Sequence, residues 1–204
     1  GGAGFIGSNL VDELIKQGHK DIHIIDNLST GKKENLNPRT QFHNLDIVDL
    51  DKIRPVFKGA EVVFHLAAQP RIQPSIKDPK TSHDANLTGT LHVLMAAKEA
   101  GVKKFIYSAS SSAYGLQKTM PLQEDMIANP LNPYAMQKYM GEKYCYLFHH
   151  LYGLPVVCLR YFNVYGPRQT CEGAYATVIG IFLKQSKSGQ PLTIVPDGKQ
   201  RRDF

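Results

Sequence analysis

The chain has 204 residues, 42% of them hydrophobic, and carries 24 Lys+Arg against 18 Asp+Glu for a net charge of +6. That length suffices for one sizeable core, no apolar run approaches the ~20 residues of a membrane span, and no secretory leader is visible. The basic excess lies in short clusters without interleaved aromatics (Lys32-Lys33, Lys103-Lys104, Lys199 to Arg202), which argues against nucleic acid. Cys145, Cys158 and Cys171 are odd in number and lack ligand spacing, as expected of free thiols in a reducing cytoplasm.

The chain opens with Gly1-Gly2-Ala3-Gly4-Phe5-Ile6-Gly7, a G-x-x-G-x-x-G turn. An apolar helical pattern follows (Phe5, Ile6, Leu10, Val11, Leu14, Ile15), closed by Gly18, and then the run Ile22-His23-Ile24-Ile25 ends on Asp26. Glycines let backbone approach a pyrophosphate, and the helix N-terminus behind them favours its negative charge. An acid roughly 20 residues on, at a strand tip, suits a ribose diol. Gly1, Gly4, Gly7 and Asp26 therefore read as a dinucleotide site. Asp26 disfavours a 2′-phosphate and argues for NAD over NADP, although Lys32 and Lys33 lie close in sequence.

Beyond a polar loop over residues 27–39, a strand is expected at 41–45, ending in Asp46-Ile47, and a helix at 49–57. A strand and its exit follow at 60–68, with His65 as a packed strand-end residue. A loop holding Pro70, Pro74 and Pro79 precedes a long helix at 81–100, closed by Gly101. Further strands are expected at 104–108, 155–161 and 192–195, and helices at 134–152 and 175–186. His149-His150 belong on a helix surface, and the eight histidines form no metal constellation. The alternation specifies an α/β fold, a doubly wound parallel sheet of the Rossmann type.

Two further segments carry chemistry. One is Ser108-Ala109-Ser110-Ser111-Ser112-Ala113-Tyr114-Gly115; the other, Tyr134-Ala135-Met136-Gln137-Lys138, spells Y-x-x-x-K. On a helix Tyr134 and Lys138 share a face. The cation is expected to favour phenolate and lower the Tyr134 pKa, giving a proton-transfer group for an alcohol being oxidised, with a serine hydroxyl on the same oxygen.

Together with Arg160-Tyr161-Phe162-Asn163-Val164-Tyr165-Gly166-Pro167, these motifs resemble the extended short-chain dehydrogenase/reductase family, in its NAD-dependent epimerase/dehydratase branch, and within it the 4-epimerases of UDP-glucose and UDP-N-acetylglucosamine. The resemblance implies a catalytic Ser110, Tyr134 and Lys138. It implies NAD contacts at Gly1, Gly4, Phe5, Ile6, Gly7, Asp26, Asn27, Asp46, Ile47, Leu66, Ala67, Ala68, Asn86, Ser108, Tyr134, Lys138, Tyr161 and Val164. It implies UDP-sugar contacts at Ser110, Ser111, Tyr134, Asn163 and Arg202, and no metal. It also implies a homodimer paired through the helices at 81–100 and 134–152.

The family's first strand, central in its sheet, precedes the glycine turn and is absent from this sequence. The chain is therefore expected to be an internal piece: a cofactor domain over 1–167 and the start of a substrate region over 168–204. A sheet without that strand is expected to expose apolar edges, and the isolated piece to fold poorly and lack turnover.

Among family reactions, the 4,6-dehydratases place Asp-Glu directly after the catalytic hydroxyl, and the glucuronate decarboxylases place Glu at the second of those positions. Here Ser111 and Ser112 stand there. An epimerase needs neither carboxylate, so a 4-epimerase is the expectation. The alternatives are another nucleotide-sugar enzyme of the family (a uronate epimerase or decarboxylase, a dehydratase, a keto-sugar reductase) and a non-catalytic nucleotide-binding protein.

Overall fold

The structure is a computed structural model and describes residues 1–171, 176–194, 197–199 and 201. The chain forms two compact units, Gly1–Tyr161 and Phe162–Phe204.

In the first unit, helix α1 (Phe5–Lys16) starts at Gly4, which is extended and supplies no side-chain cap. The chain turns back at Gly18, whose φ of 95° favours glycine. Val11 and Ile15 on α1 pack on Ile24 of strand β1 (His23–Asp26), with Ile22, Leu36 and Phe42 around them. Strand β2 (Gln41–Asn44) pairs with β1 in parallel, His23 against Gln41. The helix expected after it divides into α2 (Leu50–Ile53) and a 3-10 turn, Arg54–Phe57.

Strands β3 (Val62–His65), β4 (Lys104–Ser110) and β5 (Val156–Tyr161) form a second parallel sheet in that order. β4 is its central strand, and Phe105 and Tyr107, which share one face, are fully buried. Among the described residues no strand lies between β1 and β3. Gly1 occupies the gap: its nitrogen donates to Ile25 O at 2.5 Å, and a Cβ there would meet Ala67 N at 2.5 Å. Val62 and Phe64 on β3 are 47% and 38% exposed.

The long helix expected at 81–100 is three consecutive pieces: α4 (Pro79–His83), a π turn (Asp84–Thr88) and α5 (Gly89–Glu99). Asp78 caps α4 by accepting from Thr81 N at 3.0 Å, with Pro79 at its first position. Helix α6 (Pro133–Tyr152) is bounded by the same logic. Asn132 accepts from Ala135 N at 2.9 Å, Pro133 follows, and Gly153 ends the helix in the left-handed region.

Two expectations are corrected. The proline loop contains helix α3 (Ile72–Lys77). Pro74 sits in its first turn, where the N–H it lacks has no helical partner anyway. The strand expected at 192–195 is not found over its described residues 192–194. Thr193 N donates to the Gln185 side chain instead of a ladder, and Ile194 is 68% exposed. Val195 lies outside the described residues. In this second unit the helix expected at 175–186 is α7 (Val178–Lys187); Tyr175 lies outside the described residues.

Candidate active site

The candidate catalytic residues meet at the C-terminal end of β4. Beyond Ser110 the chain makes a 3-10 turn, Ser111–Tyr114, which the Ser110 hydroxyl caps by accepting from Ser112 N at 3.2 Å. The Ser110 and Ser112 hydroxyls are 2.7 Å apart. Across from them, Tyr134 lies in the first turn of α6, and its N–H donates to Ser75 Oγ of α3 at 3.1 Å. One turn on, Lys138 is 4% exposed. Its Nζ donates to Ser108 O at 2.7 Å and sits 4.9 Å from the Tyr107 ring centroid. Gly141 allows this closeness, because a Cβ there would run into the Tyr107 ring.

Burial pushes the Lys138 ammonium down to about 8. The expectation for Tyr134 is corrected. Burial raises its phenol pKa, and the influences that oppose the rise are a hydrogen bond with Ser110 and the charge of Arg71. Lys138 Nζ meets the strand carbonyl and the aromatic face. The sequence reading did not single out Arg71. Its backbone has φ 88°, rare for a residue with a side chain, and an arginine inside a proline-rich loop carries no pattern that would flag it.

The candidate cofactor residues gather beside these, where β1, β2 and β3 end. A Cβ on Gly7 would collide with Gly1 O, and one on Gly4 would lie 3.3 Å from the same atom. The turn is thus a cradle that side chains would fill, and with the uncapped start of α1, which Phe5 and Ile6 open, it fits the pyrophosphate of NAD. Asp26, 8% exposed, accepts from Ala3 N at 3.0 Å and Leu28 N at 2.8 Å. It therefore ties the glycine turn to the strand tip as well as standing where a ribose is expected. Asn27 Nδ2 donates to Asp46 Oδ2 at 2.8 Å, joining two expected contacts. Ile47 is 8% exposed and belongs to the main core cluster, so its side chain faces the core. Lys32 Nζ pairs with Glu34 at 3.3 Å.

Leu66, Ala67 and Ala68 leave β3 beside Gly1. Asn86 is fully buried in the π turn. Its Oδ1 accepts from Gln69 N at 2.7 Å, and its Nδ2 lies within bonding distance of Gln69 O, Ser82 and Gln137. These bonds hold the segment that follows Ala68. Thr90 Oγ1 donates to Asn86 O, so His65 Nε2 must donate to Thr90 Oγ1, 2.9 Å away. Burial, helped by the charge of Lys138, holds His65 well below its ordinary pKa, and it packs as a neutral ring.

Tyr161 ends β5 opposite Ser110. Asn163 and Val164 belong to the second unit. Arg202 lies outside the described residues. Among the described residues no group of His, Cys, Asp and Glu is arranged to hold a metal, and no helix is long and apolar enough to cross a membrane.

All of residues 1–204 match the family described as NAD dependent epimerase/dehydratase. The chain belongs to that family. Among members of the epimerase/dehydratase family, the chain is 43% identical over its whole length to a putative UDP-glucose 4-epimerase of Methanocaldococcus jannaschii, of which it covers 67%. It superposes with a TM-score of 0.95 and 42% identity on the UDP-glucose 4-epimerase of Thermotoga maritima, solved with UDP-glucose, covering 100% of this chain and 66% of that one. With the UDP-N-acetylglucosamine 4-epimerase of Methanobrevibacter ruminantium M1 the TM-score is 0.94 at 42% identity, again over 100% and 66%. The chain thus spans about two thirds of the length of these epimerase/dehydratase relatives.

Proposed function

We propose that the protein acts as an NAD-dependent nucleotide-sugar 4-epimerase, interconverting gluco and galacto forms of UDP-glucose or UDP-N-acetylglucosamine. The observation that carries this reading is the turn after Ser110. It presents hydroxyls at Ser111 and Ser112, with Ser112 Oγ spent on Ser110, where a dehydratase or decarboxylase needs carboxylic acids to move further protons.

The NAD held by the glycine cradle would take the hydride from C4 and later return it. The remaining steps belong to this chain. Ser110 holds the C4 oxygen by a hydrogen bond beside Tyr134 Oη. Tyr134 removes the proton of that hydroxyl as the sugar becomes a 4-keto species, and gives it back after the sugar has turned over. Lys138, fixed on Ser108 O, presents its ammonium to the cofactor ribose. Ser108, Ala67, Ala68 and Tyr161 line the approach, and Ser111, Asn163 and Arg202 hold the nucleotide-sugar. Residues 168–204 begin the region that binds it. In this reading the enzyme is a cytoplasmic homodimer that pairs through the helical segment 81–100 and α6, the latter bearing the exposed Leu147 and Leu151.

The test uses the full-length protein, given each UDP-sugar without added cofactor and followed by the NMR signals of the ring protons. The expected result is the matching galacto sugar without net NADH. A 4-keto-6-deoxy or pentose product overturns the argument from Ser111 and Ser112. Absence of any product after NAD is supplied favours the binding-protein alternative.

A further inference from the structure

Helix α6 begins at Pro133, so Tyr134 sits in its first turn. The first N–H groups of a helix have no partner within it, and helix ends fray when nothing else holds them. At this end the groups are accounted for one by one. Pro133 has no N–H, and Ala135 N donates to the Asn132 side chain at 2.9 Å. Met136 N donates to Asn132 O at 3.0 Å, the first regular helical bond. Tyr134 N reaches across to another helix and donates to Ser75 Oγ of α3 at 3.1 Å, 59 residues earlier in the chain.

The Ser75 side chain suits this bond. It is 0% exposed, and its hydroxyl donates its one proton to Ile72 O at 2.7 Å. It therefore meets a further partner as an acceptor, which is what an N–H requires. The segment that carries Ser75 is fastened to α6 a second time. Asn86 exchanges two hydrogen bonds with the Gln69 backbone, at 2.7 and 3.1 Å. The Gln137 carboxamide lies 2.7 Å from Ser82 Oγ and 2.9 Å from Asn86 Nδ2, and all three residues are buried. Gln137 follows Tyr134 by three residues and precedes Lys138 by one. The two fastenings thus grip the turn of α6 that carries both functional side chains.

We infer that Ser75 is a positioning residue for the proposed 4-epimerase reaction: by holding the N–H of Tyr134 from a buried hydroxyl, it fixes the start of α6 and with it the phenol oxygen beside Ser110. The inference rests on that reading of the function. Ser75 acts through the backbone of Tyr134. Alanine in its place leaves that N–H unpaired and frees the first turn, which displaces the proton-transfer group. The glycine cradle and Asp26 stand on other elements, so NAD is still held.

The test compares full-length wild type with Ser75→Ala. Asn132→Ala is the control, since it loosens the same helix end and leaves the Tyr134 N–H on Ser75. Two quantities are measured. One is steady-state epimerisation of UDP-glucose and UDP-N-acetylglucosamine. The other is the titration of the Tyr134 phenol, followed by NMR of isotope-labelled tyrosine and assigned by the signal lost in Tyr134→Phe. Ser75→Ala is expected to lower kcat by about 10–10²-fold, the scale set by displacing a reacting group by up to ~1 Å. KM and copurified NAD should stay unchanged, and the phenol titration should be displaced. Asn132→Ala should lower Tm yet lose much less of kcat. In a Tyr134→Phe background, Ser75→Ala should cause no further loss of rate. Equal losses of kcat in Ser75→Ala and Asn132→Ala reduce the bond to helix stability and overturn the inference, as does a Ser75→Ala enzyme with wild-type kcat. If wild type forms no product from either sugar, the 4-epimerase reading fails and the titration still decides the role of Ser75. A curve displaced in Ser75→Ala but not in Asn132→Ala upholds its hold on the phenol; coincident curves for wild type and Ser75→Ala overturn it.

Discussion

The ammonium of Lys138 donates to the carbonyl oxygen of Ser108 at 2.7 Å, which anchors it to strand β4 and not to the phenol four residues before it on α6. A buried lysine pushed down to about 8 is a cost that depends on pH. Between pH 8 and the unfolded value near 10.5, the unfolded chain holds a proton that the folded one has released. The contribution of Lys138 to stability is therefore least favourable below pH 8 and improves as pH rises through that window, by at most about 1.4 kcal/mol per pH unit. Urea unfolding of cofactor-free wild type and Lys138→Met, compared from pH 7 to 10, should show a gap that varies with pH in that sense. A constant gap contradicts the assignment.

Tyr134→Phe should lower turnover by about 10²–10⁴-fold while NAD remains bound, since only the proton-transfer oxygen is lost. The check pairs steady-state rates with the amount of NAD that copurifies. Loss of both together would show that the phenol is structural.

Arg71 lowers the pKa of the Tyr134 phenol, and burial raises it. Removing the guanidinium should therefore move the pH limb of kcat/KM that reports the phenolate towards higher pH. Arg71→Lys, which keeps the charge, should move it less than Arg71→Met. A profile of Arg71→Met that coincides with wild type contradicts the electrostatic role.

Glu142 and Arg160 keep only 11% and 19% of their side chains exposed, and the Arg160 guanidinium also stacks on Tyr114 at 4.5 Å. Glu142→Gln leaves that cation without its counter-charge and should cost about 3–5 kcal/mol. Replacing both partners by apolar residues should recover much of the loss. Denaturation midpoints of the two variants decide the point.

Gly7→Ala places a methyl against Gly1 O in the pyrophosphate cradle. Preparations of this variant should contain substantially less bound NAD than wild type, measured by absorbance after the protein is precipitated. Full retention would move the cofactor away from the turn.

Local chemistry made much of this legible. The G-x-x-G-x-x-G spacing and the terminator Gly18 marked α1, and the four-residue spacing put Tyr134 and Lys138 on one helix. What escaped depends on partners distant in sequence. The bonds of Asn86 lead to Gln69 and Gln137, 17 and 51 residues away, so nothing local separates it from a solvated asparagine. Asp26 answers to Ala3 across 23 residues. Lys138 finds a strand carbonyl and a tyrosine face 30 and 31 residues before it in the chain. Arg71 owes its place to a backbone conformation that no propensity favours.

The π turn at Asp84–Thr88 has one more effect. A single surplus residue within a helix rotates everything after it by about 100°. The faces of α4 and α5 are thus out of phase along what is otherwise one rod, and the turn acts as a splice between two helical registers. Removing one residue there would restore a regular helix and swing Val93, Leu94 and Ala97 off the sheet. The length of this segment is therefore as tightly specified as its composition.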